Sequence, residues 1–169
     1  MRGTITFGDK PTELVANGAT PVLYKRVFRR DFLNSANKQD DMDVYVELAF
    51  IMAKQAEKPL PELINSLKYE DYFEWIESFG AMDVVEKVSD IFALYQGQAM
   101  QTSKAKKKGI KTDRPYNTAL YLLRCIEAGI ALPDLDFFEV GEILDILTER
   151  SNDGESYARV ATQEDMDRF

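Results

Sequence analysis

The chain contains no histidine. That absence removes the commonest general base and the commonest neutral metal ligand, and with them Ser-His-Asp and Cys-His nucleophile schemes. Cysteine is nearly as scarce. Cys125 stands alone, so no intramolecular disulfide can form, which fits a reducing cytosol. Its place in the middle of an expected helix makes a small core thiol the simpler reading. The nine glycines never fall into G-x-x-x-x-G-K-[ST] or G-x-G-x-x-G, the backbones that cradle phosphates. No apolar run approaches the ~20 residues that span a bilayer. The opening MRGTITFGDK also lacks the apolar centre of a signal peptide. The expectation is a soluble cytoplasmic protein with no catalytic residue, no metal and no cofactor. Glu139, Glu142 and Asp145, three apart on one helix, read as solvated acids, and Asp153-Gly154-Glu155 is too sparse for a calcium loop.

What is present is core material and a lopsided charge. Ten Phe, eight Tyr and one Trp in 169 residues supply bulk for a core. The net charge is -8. Residues 134–169 carry eleven acidic and three basic side chains, which accounts for all of it, because the residues before them balance. An acidic end repels phosphate and argues against nucleic acid as the main partner.

The periodicity predicts a mainly α protein: a bundle-like body with a small N-terminal β-hairpin, then a C-terminal helical pair and an acidic tail. Thr4–Phe7 reads as a strand, Gly8-Asp9-Lys10-Pro11 as a turn, and Thr12–Ala16 as the return strand. Thr20-Pro21 opens a helix by a capping hydroxyl and an N-terminal proline, its face reaching toward Leu33. Lys25, Arg26, Arg29 and Arg30 lie mostly on the other side and read as a solvated face. Asp43–Ala56 is apolar around most of its circumference, which marks the centre of a core. Pro61 starts a short helix through Leu67. Tyr69–Phe79 is dense in aromatics interleaved with Glu70, Asp71, Glu74 and Glu77, so packing is favoured over a base-stacking platform. Asp83 and Glu86 form a D-x-x-E capping box before the stripe Val84, Val88, Ile91, Phe92 and Tyr95, which Gly97 ends.

Residues 98–114 are polar and lysine-rich (Lys104, Lys106, Lys107, Lys108, Lys111) and read as a linker. It divides a segment 1–97 from a segment 115–169. Pro115 then opens a helix with Tyr116, Ala119, Leu120, Leu123 and Ile126 on one face, and Gly129-Ile130 is a left-handed stop. Asp136 and Glu139 form a second box before Val140, Ile143, Leu144 and Leu147. Beyond Glu149, order depends on a partner.

Leu147-Thr148-Glu149, Ser151-Asn152-Asp153, Tyr157 and Ala161–Phe169 resemble the ending of tail assembly chaperones from long-tailed phages and prophages of Gram-positive bacteria. The strand pair followed by Ala19-Thr20-Pro21, Tyr24, Lys25 and Phe28 is similar to that family's opening, so the resemblance spans most of the chain. It implies a non-catalytic protein of the bacterial cytoplasm, absent from the mature virion. Such a protein binds the tape-measure protein, recruits major tail-tube protein and self-associates into a ring or spiral. Many members are made in two lengths by frameshifting. Lys106-Lys107-Lys108-Gly109 is compatible with a slippery run, a hypothesis that one uninterrupted frame through codons 104–112 would count against. On this reading residues 20–97 self-associate and meet the tape measure, while residues 134–169, with Tyr157, Asp165, Met166 and Phe169 as contacts, recruit tube protein. The alternative is a small nucleic-acid-binding regulator using Lys25–Arg30 and the lysine cluster, and an enzyme working with carboxylates alone ranks third.

Overall fold

A computed structural model describes residues 1–35, 42–96 and 114–152. Residues 36–41, Gly97, the linker up to residue 113 and the segment holding Tyr157, Asp165, Met166 and Phe169 lie outside the described residues.

The first two elements are an antiparallel hairpin. Strands β1 (Arg2–Phe7) and β2 (Lys10–Val15) pair from Arg2 opposite Val15 to Phe7 opposite Lys10. The turn is only Gly8-Asp9, tighter than the expected four-residue turn, and Pro11 sits in the return strand opposite Thr6. Alternation puts Ile5, Phe7 and Leu14 inside and Thr4, Thr6 and Glu13 outside. A lone hairpin is marginal, and this one is stabilised by laying β2 on α3 (Met42–Glu57) and β1 on α7 (Val88–Gln96).

Helix α3 is the axis of the fold. It touches β2, α1 (Thr20–Phe28), α4 (Leu60–Ser66), α5 (Glu70–Glu77), α6 (Ala81–Val85) and α7. Every residue from Val44 to Ala53 is buried, as expected for a helix apolar around its circumference. The exception in chemistry is Glu47. Its carboxylate accepts from the Tyr24 hydroxyl (2.5 Å) and pairs with the Arg30 guanidinium, so the buried charge is matched by a partner and a donor. A short helix α2 (Phe32–Ser35) follows α1.

Three expected boundaries are corrected. Helix α1 stops at Phe28 rather than running toward Leu33, because Arg29 turns left-handed (φ 58°) and its N–H bonds Lys25 O. Thr20 does not cap α1 through its hydroxyl; that group points inward and bridges Asn17 N–H and Gln55. The stripe from Val84 to Tyr95 is two helices, not one. Asp83 is the third residue of α6 and reaches back to Gly80 N–H (2.9 Å), and the chain turns at Glu86-Lys87 before α7.

The C-terminal helices α8 (Thr118–Glu127) and α9 (Val140–Asn152) touch each other, joined through a 3-10 turn at Leu132–Asp136. Helix α8 begins at Thr118, not at Pro115. Asn117 is its cap and accepts from Leu120 N–H (2.9 Å). It ends as expected at Gly129 (φ 85°), where Gly129 N–H bonds Ile126 O and Ile130 N–H bonds Cys125 O. Tyr121, Cys125, Ile130, Leu135, Val140 and Ile143 join the same apolar cluster as the body.

Candidate functional site

The proposed contacts Tyr157, Asp165, Met166 and Phe169 lie outside the described residues, so the surfaces of the described fold define what can be built here. They are set by how the C-terminal helices dock. The sequence stripe Tyr116, Ala119, Leu120, Leu123, Ile126 is not the buried face of α8. The helix buries Thr118, Tyr121 and Cys125 instead. The rotation has a physical cause at each end. Asp31, beside α1, accepts from Thr118 N–H (3.0 Å), Thr118 Oγ–H (3.0 Å) and Lys25 (2.7 Å). Tyr121 reaches across and donates to Gly18 O (2.9 Å). Gly18 permits this approach: a Cβ there would stand 2.3 Å from Ile143 Cδ1 and 3.0 Å from Leu135 O.

The same loop is stitched by a buried polar chain. Asn17 Oδ1 accepts from Ala19 N–H and from Gln55, and Asn17 Nδ2 donates to Asp136 (2.9 Å). The other oxygen of Asp136 accepts from Leu60 N–H. Asp136 is therefore not the cap of α9, as the D-x-x-E spacing suggests. Glu142 takes that role, accepting from Glu139 N–H (2.8 Å). Sequence spacing names Asp136 but misassigns its partner, and it gives no signal for Asn17 or Gln55.

With Tyr121 and Cys125 turned inward, α8 presents Leu123 (42% exposed) and Ile126 (67%) to solvent. The turn after it presents Leu132 and Phe137 (83%). Contiguous exposed apolar surface is where proteins meet other molecules.

A second surface lies on the body. A cleft of about 550 Å³ opens between the end of α1 and the α4–α5 junction, lined by Arg26, Arg29, Lys68, Phe28, Tyr69 and Glu70 among others. The four cations of Lys25–Arg30 thus divide. Lys25 and Arg30 are held by Asp31 and Glu47. Arg26 and Arg29 are exposed, and neither they nor Lys68 form a salt bridge among the described residues. The aromatic run is mostly packing: Trp75 is buried edge-to-face against Phe7 (6.0 Å), Phe50 (5.7 Å) and Phe79 (5.0 Å). Tyr69 and Phe73 remain outward.

Titration follows these contacts. Burial raises the Asp31 carboxyl, but the bonds from Lys25 and Thr118 outweigh it and leave its pKa below the ordinary value. Burial pushes the Cys125 thiol up, so it is no activated nucleophile. Among the described residues no group of three His, Cys, Asp or Glu is placed to hold a metal ion, and no helix is long and apolar enough to cross a membrane.

No family model matches the chain, and comparison with curated proteins and with solved structures likewise gives no match.

Proposed function

We propose that this protein is a non-catalytic tail assembly chaperone that holds a tape-measure protein soluble in the host cytoplasm and recruits tail-tube subunits to it. The observation that supports it is the outward set Leu123, Ile126, Leu132 and Phe137 on α8 and the turn behind it, of which Ile126 and Phe137 are among the most exposed large apolar side chains of the described residues. Sequence reasoning assigns the tape-measure contact to the body. The burial of α3 moves our proposal to α8 and the turn behind it, because a partly apolar client needs apolar surface that is free. Copies arranged in a ring or spiral would multiply such weak sites.

The acidic segment divides in function. Residues 140–152 are a helix packed on α7 and α8, with Asn152 buried, so the tube-recruiting element is residues 153–169. A chain truncated after Asn152 is expected to keep the tape measure soluble and to lose tube protein in a pull-down. Undiminished capture of tube protein by the truncated chain would refute that division.

The cations of the cleft, which form no salt bridge among the described residues, favour one second reading, a nucleic-acid-binding regulator. Phosphate contacts give a steep salt dependence, so a gel shift that collapses with modest salt would establish it over the chaperone.

A further inference from the structure

We propose that the cleft between α1 and α4–α5 is a peptide-binding site whose occupant is the chain's own acidic segment Glu164-Asp165-Met166-Asp167-Arg168-Phe169. This goes beyond the chaperone reading and does not depend on it, since no client is needed; on that reading tube protein would compete with the cleft for the same residues.

The chemistry of the two parts matches. The cleft offers Arg26, Arg29 and Lys68, exposed and without a salt bridge among the described residues, around an apolar floor that includes Phe28 and Tyr69. Its one carboxylate is Glu70. The segment offers three carboxylates, from Glu164, Asp165 and Asp167, interleaved with Met166 and Phe169. Guanidinium groups bind carboxylates through paired parallel hydrogen bonds, and two arginines with a lysine can serve three acids. A thioether and a phenyl ring can lie on Phe28 and Tyr69.

Reach permits the contact from within one molecule. Eleven residues, 153–163, separate Asn152 from Glu164 and can extend about 36 Å, comparable with the roughly 40 Å diameter that goes with a radius of gyration of about 15 Å for a domain of this size. Where the cleft lies within its span, a tether of that length holds its ligand at an effective concentration on the order of 1 mM. A polynucleotide is disfavoured by the net charge of -8.

The contact is testable on the purified full-length protein by zero-length carbodiimide cross-linking read by mass spectrometry. Lys68 is the lysine lining the cleft, so the expected product joins Lys68 to Glu164, Asp165 or Asp167. In a mixture of light and 15N-labelled chains the two halves of that product should carry the same label. Double charge reversal, Arg26→Glu with Arg29→Glu, should reduce the yield of this product several-fold and leave the circular dichroism unchanged. Absence of the Lys68 product, or tail acids joined only to Lys104–Lys111, would overturn the proposal. Mixed-label products would overturn it in favour of a second copy. Protection of Lys68 by a short single-stranded oligonucleotide at physiological salt would overturn it in favour of phosphate.

Discussion

Helices α3 and α8 are both rich in apolar residues, yet they use them in opposite ways. Helix α3 is covered on every side, and its interior polar groups Glu47 and Gln55 are matched by Tyr24, Arg30, Thr20 and Asn17. Helix α8 buries one narrow face and turns Leu123 and Ile126 to solvent. Besides the core contacts of Tyr121 and Cys125, it is tied down by directed polar bonds that Thr118 and Tyr121 donate to Asp31 and Gly18 O. Apolar content therefore does not say whether a helix serves the fold or a partner. The difference lies in what its neighbours leave uncovered.

The largest test of that contrast is Leu48→Ala on α3, a side chain with no exposed surface. It should cost about 2–5 kcal/mol, each of which lowers Tm by about 2–4 °C in a domain of this size. Next is Gly18→Ala, whose new methyl group collides with Ile143 and the Leu135 carbonyl. It should cost about 1–3 kcal/mol, and hydrogen exchange should show α9 losing protection while the β1–β2 hairpin keeps its own. Uniform loss across both would mean that the two regions do not differ in how they are held.

Asp31→Ala removes the acceptor that fixes the start of α8 and should cost roughly 1–3 kcal/mol, read by urea denaturation. The folded pKa of Asp31 lies below its ordinary value of 3.8, so its contribution is present above that value. It is lost as pH falls below 3.8. Wild type should therefore lose stability in that acid range more steeply than Asp31→Ala, and parallel curves would contradict the assignment. The smallest effect belongs to Ile126→Ser, which should change stability by no more than about 0.5 kcal/mol because the residue is already in water. A cost comparable to that of Leu48→Ala would show Ile126 to be buried.

The hairpin, the core helix α3 and the glycine stop at Gly129 are legible in the sequence because each rests on local signals: alternation, an all-round apolar run, and a residue free to turn left-handed. The face of α8 is not. Thr118, Tyr121 and Cys125 share a helical stripe as regular as that of Ala119, Leu123 and Ile126, and only the distant acceptors on Asp31 and Gly18 choose between them. Asp136 is illegible for the same reason. Its spacing to Glu139 imitates a cap, while its partners Asn17 and Leu60 lie far away in the chain. The cleft cations needed the fold to separate Arg26 and Arg29 from the paired Lys25 and Arg30.

The proposal that α8 and its following turn form a client surface is tested most directly by co-expression with a tape-measure protein, taken from the neighbouring genes where they encode one. Wild type is predicted to hold the tape measure in the soluble fraction and to co-purify with it. The double variant Ile126→Ser, Phe137→Ser should remain folded and lose it. A tape measure that stays insoluble beside folded wild type, or that the double variant retains in full, would contradict the account.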